Sequence, residues 1–352
     1  MSGSSLDGLD LALVRFLVDQ EQILSWSLEQ CREIPLQEDW KTMLGTLPGA
    51  SIAVLMEADA RLGQWIGNAC RAMSADCGIV PDAIASHGHT IWHAPDKGYS
   101  LQIGNPAWIA RLTGCLTITD FRSADIAAGG QGAPLAPVVE RYGFPGFRYY
   151  LNLGGIANLS VFPASGEVRA WDIAPCNQVL NYLASKVGLP YDRDGQLAKT
   201  GEADQDLVQA ILTPLGLPYG APSSMDNSWL QQTFFPILDA TDLSVADQLA
   251  SVHRAIALAV SEQIRVTGGG ADDRLMITGG GAHNLALVEE LRTALYPVSI
   301  EIPDRQIVDF KEAILMAFCG MLRLLNRPNA YASVTGASCD TVNGVLTSAH
   351  HS

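Results

Sequence analysis

Residues 149–162 read YYLNLGGIANLSVF, and residues 168–172 read VRAWD after a short turn. Apolar and polar residues alternate through the first segment, which a Gly-Gly pair flanked by asparagines interrupts at Gly154 and Gly155. The pattern predicts two strands joined by a tight turn, because glycine leaves room for another group to approach the backbone. We expect that group to be a phosphate. Asp172 is expected where the next strand ends, the place where open α/β sheets usually hold their chemistry.

The composition is that of a globular protein, with 352 residues and 48% hydrophobic side chains. This length suits two domains with a cleft between them. The 37 acidic and 22 basic residues give a net charge of -15, which opposes binding to nucleic acid or to an anionic membrane. Seven cysteines without a C-x-x-C pair predict reduced thiols and no zinc site. With no signal peptide and no apolar run of about 18 residues, we expect a cytoplasmic protein.

A second glycine turn stands at the start of the chain, where residues 1–16 read MSGSSLDGLDLALVRF. Backbone N–H groups in such a turn can form an anion nest, to which Ser4 and Ser5 would add hydroxyl donors. Asp7 would repel a phosphate unless a divalent cation or water lay between them, so this interpretation requires Mg²⁺. The alternative is a flexible N-terminus with a serine cap.

A third glycine turn, at residues 279–281, follows an apolar segment and precedes Asn284, which is expected to cap the helix 285–295. A strand, a glycine turn and a helix N-terminus together are typical of a nucleotide site. The chain has neither G-x-x-x-x-G-K-[ST] nor the G-x-G-x-x-G of dinucleotide-binding domains. The three turns therefore favour a nucleotide clamped between two domains.

Charged residues also occur in an apolar, glycine-rich passage that contains Asp120, Arg122 and Asp125 and continues through residues 128–134. A cleft lining explains this mixture better than a solvated loop does. Arg122 has the planar fork that binds a carboxylate or phosphate.

Two further groups leave alternatives open. His87, His89 and His93, in a segment that Gly88 predicts to be a loop, either bind a metal or supply one histidine to a substrate. Glu312 precedes an apolar helical stripe and is either a helix-start charge or a site residue.

Asp172 is the candidate base. Phosphoryl transfer needs positioning, neutralisation of charge by Mg²⁺ and a base for the acceptor. An aspartate after a strand is also often only a turn residue.

Several of these segments resemble the signatures of the anhydro-N-acetylmuramic acid kinases, which belong to the superfamily of actin and hexokinase. The resemblance covers nearly the whole chain and rests on residues 1–8, 120–122, 128–134, 151–159, 191–195, 278–284 and 312–313. It implies an α/β, two-domain actin/hexokinase-like (ribonuclease H-like) fold with an interdomain cleft. The expected domains are 1–136, completed by 335–352, and 137–334.

The resemblance also implies an activity, namely ATP-dependent opening of a 1,6-anhydro sugar with phosphorylation at O6. Asp172 matches the family's base, and Asp7 would hold Mg²⁺ directly or through water. The expected ATP-binding residues are Gly3, Ser4, Ser5, Leu6, Asp7, Gly8, Asp10, Gly154, Gly155, Gly279, Gly280 and Gly281. The expected sugar-binding residues are Asp120, Arg122, Gln131, Asn177 and Glu312. The partner would be a small anhydro sugar, and a homodimer is allowed.

Three departures from the family pattern keep alternatives open. Ile173, Ala174, Pro175 and Cys176 follow the base where the family usually has Thr-Gly-Pro-Gly or Ala, and residues 223–227 lack the arginine of a Ser-Thr-Gly-Arg-Glu loop. The chain also starts at the glycine motif, so its first strand is expected to be abbreviated or its start misassigned. The alternatives are a kinase for another anhydro or amino sugar, and a nucleotide-dependent binding protein without catalysis.

Overall fold

The structure, a computed structural model, describes Met1 and residues 8–164, 166–216, 225 and 229–349. Contacts divide the chain into unit 1, Met1–Pro145 with Phe310–Ser352, and unit 2, Gly146–Asp309. The domain limits predicted at 136/137 and 334/335 stay a prediction. The contact division differs from them mainly by giving residues 310–334 to unit 1.

In the described part of unit 1 the strands form three groups. A long antiparallel hairpin pairs β1 (Gly8–Asp19) with β2 (Gln22–Pro35). A short sheet in the order β12-β6-β3 joins β3 (Ala83–Ala85), β6 (Leu116–Thr119) and β12 (Val345–Thr347). The third group is the hairpin of β4 (His89–Ala94) and β5 (Tyr99–Ile103). The prediction of a loop through residues 86–93 is therefore wrong beyond Gly88, because His89 to Ala94 pair along β5.

The helices of unit 1 pack through apolar stripes. In α2 (Ile52–Cys77), Ser51 caps the start by accepting a hydrogen bond from the Val54 N–H, and Gly78 ends the helix at a φ of 69°. The buried stripe includes Leu55, Leu62, Ile66, Ala69 and Met73, which recur at helical spacing. The other helices are α1 (Glu38–Thr46), α3 (Pro106–Thr113), α4 (Ser123–Ala127), α5 (Ala136–Gly143), α11 (Arg305–Leu324), which begins in unit 2, and α12 (Ala332–Thr335).

The C-terminal part of α11 belongs to unit 1 because its apolar side chains pack there. Phe318 is fully buried, and its ring meets Phe16 and Trp26 edge-on at centroid distances of 4.9 and 5.5 Å. Lys311 and Glu140 form a buried ion pair at 3.1 Å. This packing explains why contacts assign residues 310–334 to unit 1.

Among its described residues, unit 2 has one sheet of five strands, in the order β11 (Ser299–Glu301), β10 (Arg274–Thr278), β7 (Tyr149–Leu153), β8 (Ile156–Val161) and β9 (Arg169–Pro175). The hairpin predicted around Gly154 and Gly155 forms β7 (Tyr149–Leu153) and β8 (Ile156–Val161), and β9 (Arg169–Pro175) pairs antiparallel with β8. On the other side, β10 (Arg274–Thr278) runs parallel to β7 and to β11 (Ser299–Glu301).

Helices cover this sheet with a large apolar core. The long α9 (Val245–Val266) is capped by Ser244, whose side chain accepts from the Asp247 N–H, and contributes a buried stripe that includes Leu249, Val252 and Ile256. The other helices are α6 (Asn177–Ser185), α7 (Gln205–Leu212), α8 (Phe235–Asp239) and α10 (Leu285–Leu295). Asn284 caps α10 as predicted, accepting from the Leu287 N–H at 3.1 Å.

The α/β class with two units is confirmed. In the part of the chain that the structure describes, no helix is both long and apolar enough to cross a membrane. The cleft expected between domains stays a prediction.

Candidate functional site

Asp172 lies inside β9 and not at its end, so the predicted position is wrong by three residues. In the ladder with β8, Asn158 is opposite Asp172 while Ala157 is opposite Ala174, which leaves Ile173 without an opposite residue. One extra residue in one strand is a β-bulge, and bulges often re-aim side chains beside active sites. Beyond the bulge, Ala174 and Pro175 still pair with β8, so the strand continues past Asp172.

A row of polar residues crosses the sheet of unit 2 at the level of Asp172. Thr278 on β10 is opposite Asn152 on β7, Asn152 is opposite Asn158 on β8, and Asn158 is opposite Asp172. Residues opposite each other in a ladder present their side chains on the same face. The preceding row on β10 and β7, formed by Ile277 and Leu151, is fully buried. Because successive residues of a strand point to opposite faces, one face of the sheet carries the row of hydroxyl, amide and carboxylate groups, and the apolar pair lies on the other face.

The environment of the Asp172 carboxyl makes it a stronger base than an ordinary aspartate. Burial raises its pKa, and the hydrogen bond from the Met225 N–H to Asp172 Oδ2, at 2.9 Å, opposes part of that rise. A base with a raised pKa accepts a proton more readily, which is what general-base catalysis requires. The rest of the predicted loop 223–227 lies outside the described residues.

The two glycine turns of unit 2 meet at Asn177, the first residue of α6. The Asn177 side chain donates to the Leu153 carbonyl at 3.0 Å, and its own N–H donates to the Gly154 carbonyl at 3.1 Å. A Cβ placed on Gly281 would stand 3.3 Å from Asn177 Oδ1. The structure therefore brings together six predicted site residues: Gly154, Gly155, Asn177, Gly279, Gly280 and Gly281.

The carbonyls of the Gly154 and Gly155 turn satisfy the N-terminus of α6. Gly155 accepts from the N–H groups of Cys176 and Gln178, at 3.0 and 3.2 Å. These are donors that a helix start leaves without an intrahelical partner. A phosphate at this turn would therefore be held by other donors and not by the first N–H groups of α6.

Gly279 must be glycine for two reasons. Its φ is 81°, and a Cβ would come within 2.8 Å of Asn152 Oδ1 and of the Leu153 backbone. The Asn152 amide thus lies against the 279–281 turn, and its nitrogen would stand 3.2 Å from a Cβ on Gly154. Asn152 therefore lies beside both glycine turns and is also a member of the polar row.

The residues after Asp172 that depart from the family pattern point into the protein. Ile173 and Cys176 are fully buried and Ala174 is almost so, and all three belong to the main core of unit 2. In this chain these positions serve packing. The departure therefore does not favour a different sugar.

In unit 1 the predicted sugar-binding residue Arg122 contacts His87. Its Nη2 lies 2.9 Å from His87 Nε2, while its Nε is buried without a hydrogen-bond partner among the described residues. Burial lowers the pKa of Arg122, and the negative charge of Glu312 opposes this effect. Burial, with a contribution from Arg122, lowers the pKa of His87 to about 4. A neutral His87 therefore accepts a hydrogen bond from Arg122.

Hydrogen bonds of two aspartates shape the loops around Arg122. Asp120, at a φ of 58°, accepts from the Ser123 N–H at 3.0 Å, which fixes the start of α4. Buried Asp125 accepts from the Gly132 N–H at 2.7 Å and from Thr335 Oγ1 at 2.7 Å. Both aspartates thus have structural roles as well as their predicted place near a ligand.

The remaining predicted residues of unit 1 are placed as follows. Gln131 is exposed, and its backbone N–H donates to the Thr335 carbonyl at 2.8 Å. Glu312 is exposed on α11. Gly8 and Asp10 lie on β1, opposite Pro35 and Glu33. Gly3, Ser4, Ser5, Leu6 and Asp7 lie outside the described residues, so the phosphate turn and the Mg²⁺ ligand predicted there remain predictions.

Two of the three histidines in residues 87–93, His87 and His93, have different surroundings. His87 contacts Arg122 and lines a cavity of about 140 Å³ together with Asp59, Gln102 and Asp120. His93 Nδ1 instead lies 3.1 Å from Ser100 Oγ. Among the described residues no three His, Cys, Asp or Glu side chains are arranged to hold a metal ion.

The sequence interpretation did not select Asn152, Asn158 and Thr278 as site residues. A signal for two of them was present, because hairpin pairing about a two-residue glycine turn sets Asn152 opposite Asn158. Thr278 could not be found in this way, since its alignment with Asn152 depends on parallel pairing between strands distant in sequence.

The chain matches the family model described as anhydro-N-acetylmuramic acid kinase over residues 1–349. It is similar to the anhydro-N-acetylmuramic acid kinases of Pseudomonas savastanoi pv. phaseolicola (strain 1448A / Race 6) and Pseudomonas syringae pv. syringae (strain B728a). The identities are 34% and 32% over 375 residues, covering 98% of this chain and 97% of each relative.

Among solved structures, the activator of the 2-hydroxyisocaproyl-CoA dehydratase from Clostridium difficile with bound ADPNP gives a TM-score of 0.36. It is 16% identical and covers 60% of this chain and 69% of its own. The family model and the two kinases, each matched over nearly their whole length, show that the chain belongs to the anhydro-N-acetylmuramic acid kinase family.

Proposed function

We propose that the protein is a sugar kinase that converts 1,6-anhydro-N-acetylmuramic acid, ATP and water into N-acetylmuramic acid 6-phosphate and ADP. The product would return a cell-wall sugar to metabolism in the cytoplasm. The observation that carries this proposal is Asp172, a base with a raised pKa at the end of a polar row that reaches the glycine turns.

Asp172 takes a proton from water in the proposed reaction, and the water oxygen bonds to the anomeric carbon. The bond from that carbon to O6 breaks, O6 forms a new bond to the γ-phosphorus of ATP, and the bond from this phosphorus to the bridging oxygen breaks, so that ADP leaves with that oxygen. The bulge at Ile173 and the hydrogen bond from Met225 orient the carboxylate for this role. Asn158, opposite Asp172, would add an amide to hold the water or a sugar hydroxyl.

The glycine turns fit a nucleotide because their backbone can be approached closely. Gly280 is exposed, and the atom nearest to a Cβ placed on it is Asn177 Nδ2 at 3.6 Å. Residues 279–281 would contact the adenosine side of ATP, while Gly154 and Gly155 would contact its phosphates. Bound ATP with Mg²⁺ would supply the γ-phosphoryl group and the positive charge that neutralises it.

Arg122 is proposed to bind the carboxylate of the muramic acid side chain. Its buried Nε without a partner suits an incoming anion, and a guanidinium binds a carboxylate through two parallel hydrogen bonds. Asp120, Gln131, Asn177 and Glu312 would contribute the remaining sugar contacts.

The proposal is tested by incubating the protein with ATP, Mg²⁺ and 1,6-anhydro-N-acetylmuramic acid in oxygen-18 water. Mass spectrometry should find ADP and a phosphorylated sugar with one oxygen-18 atom at the anomeric hydroxyl. A phosphorylated sugar that keeps its anhydro bridge would rule out the proposed opening. 1,6-Anhydro-N-acetylglucosamine, which lacks the carboxylate, is the matched substrate control and should be turned over much more slowly.

A further inference from the structure

Asn284 joins the glycine turn 279–281 to α10. Its backbone N–H donates to the Gly281 carbonyl at 3.0 Å, which closes the turn, and its side-chain Oδ1 accepts from the Leu287 N–H at 3.1 Å, which starts the helix. The Ala282 N–H also donates to the Gly279 carbonyl at 2.9 Å. A shift of Asn284 would therefore move the end of the glycine turn and the start of the helix together.

The amide of Asn284 also contacts His253 of α9. With Oδ1 on the Leu287 N–H, the amide nitrogen Nδ2 faces His253 Nε2 at 3.1 Å. The reverse orientation of the amide would set its NH₂ group against the Leu287 N–H, donor against donor. Nδ2 is therefore the donor and Nε2 the acceptor, which requires a neutral imidazole with its proton on Nδ1.

The surroundings of His253 keep its ring neutral. The residue is 1% exposed, and burial lowers its pKa to about 4, while the charge of Asp192 opposes part of this fall. On α9 it belongs to the buried stripe that also contains Val252 and Ile256. A polar ring at such a position is unfavourable unless it makes a hydrogen bond. The bond to Asn284 supplies one, which an apolar side chain at this position could not form.

The charged segment 191–195 packs against the same asparagine. A Cβ on Gly195 would collide with Asn284 Oδ1 and with the Ala286 Cβ. The buried Asp192 accepts from two backbone N–H groups that follow it in the chain, at 2.8 and 2.9 Å, and so folds the segment locally. Three segments of unit 2 that are far apart in sequence therefore meet at Asn284.

We propose that His253 is a positioning residue for the nucleotide. It holds the Asn284 amide from the core of unit 2 and thereby keeps the 279–281 turn in the shape that receives the adenosine side of ATP. This inference rests on the proposed function, in which that turn contacts ATP. With only 1% of its surface exposed, His253 acts through Asn284 and not by contact with the ligand.

Calorimetric titration with ATP and Mg²⁺ tests this role. His253→Leu keeps a side chain of similar volume but leaves the Asn284 amide without its acceptor, so Kd for ATP should rise about tenfold. His253→Gln places an amide oxygen near the position of Nε2 and should bring Kd back to within about threefold of the wild-type value. Leu249→Ala, which opens a cavity on the same helix, is the matched control for lost stability and should leave Kd unchanged.

Steady-state kinetics and a second variant separate positioning from a general loss of stability. In His253→Leu the KM for ATP should rise by a similar factor, whereas kcat and the KM for the anhydro sugar should change little. Asn284→Ser keeps a side chain that caps a helix but removes the amide donor, so it should weaken ATP binding too. Adding His253→Leu to it should have little further effect. Asn284→Ser also tests the contact if His253→Leu does not fold.

Three results would overturn the inference while wild-type protein binds ATP, and they would leave the proposed function standing. The first is an unchanged Kd for ATP in either His253→Leu or Asn284→Ser. The second is an equal loss of ATP affinity in Leu249→Ala, and the third is additive losses in the double variant. Wild-type protein that does not bind ATP would instead contradict the proposed function itself, and this inference with it.

Discussion

Asp172, the candidate base of unit 2, stands on a paired strand, whereas Arg122, the candidate anion ligand of unit 1, stands between a short strand and a short helix. Asp172, Asn158 and Asn152 are neighbours because three strands pair in register. Arg122 instead follows the end of β6, and its side chain contacts His87. The difference suggests a division of work: the rigid sheet would position the chemistry, and the loops would select the sugar.

The largest expected effect is the fall in kcat when the proposed base of unit 2 is removed. Asp172→Asn keeps an acceptor for the Met225 N–H but removes the base, so kcat should fall by about 10²–10⁴-fold. Binding of ATP, measured by calorimetry, should stay nearly unchanged. Glu167→Gln, an exposed carboxylate in the same unit, is the control and should keep full turnover. Substantial activity in Asp172→Asn would show that the base has been assigned wrongly.

A second test concerns the close packing beneath the glycine turn of unit 2. Gly279→Ala should lower the free energy of unfolding by about 3 kcal/mol, because it combines a left-handed φ with a clash against Leu153. Gly188→Ala, with a φ of 77° and no atom within 4 Å, should lose only about 1 kcal/mol. Gly270→Ala, with neither problem, should change little. Equal losses for Gly279 and Gly188 would contradict the close approach.

In unit 1, Arg122→Ala should act mainly on sugar binding. Loss of a charged hydrogen bond to a carboxylate should raise KM for the sugar about 10–100-fold with a smaller change in kcat. Arg122→Lys should restore part of the affinity, since it keeps the charge but not the fork. Exposed Arg111→Ala serves as the control. A loss confined to kcat would argue that Arg122 belongs to the chemistry, and the contrast between the units would fail.

The smallest expected effect is on the pH dependence of stability, and it concerns two buried histidines, His87 and His253. Burial lowers the pKa to about 4 in both, with Arg122 lowering it further at His87 and Asp192 opposing the fall at His253. As pH falls below about 6.5 the unfolded chain takes up protons first, so stability is lost between about pH 6.5 and 4.

Each histidine should therefore cost about 1 kcal/mol between pH 7.5 and 5.5. Denaturant unfolding of His87→Gln and His253→Gln at both pH values measures this loss, which should shrink in each variant. Arg122→Ala should also reduce this loss of stability, because it removes a charge that lowers the pKa of His87 and leaves His253 unaffected. An unchanged pH dependence in both variants would contradict the neutral state of these histidines in the fold.

Much of the fold was predictable from local patterns. The hairpin about Gly154 and Gly155 and the Asn284 cap both depend on residues that are close together in the sequence. The prediction for Asp172 was wrong because β9 goes on pairing with β8 for three residues past it, as far as Pro175. The loop predicted for residues 86–93 was also wrong beyond Gly88, since this glycine precedes β4 and does not interrupt it.

By itself, the sequence determined the family, the α/β class and the residue types able to bind a nucleotide and move a proton, since motifs and periodicity are local properties of the chain. Tertiary structure alone decided which groups meet. The parallel pairing of β10 with β7 aligned Thr278 with Asn152, and the approach of His87 left Arg122 Nε buried without a partner among the described residues. The physical reason is that ladder register and burial arise from contacts between segments far apart in sequence, which no local pattern encodes.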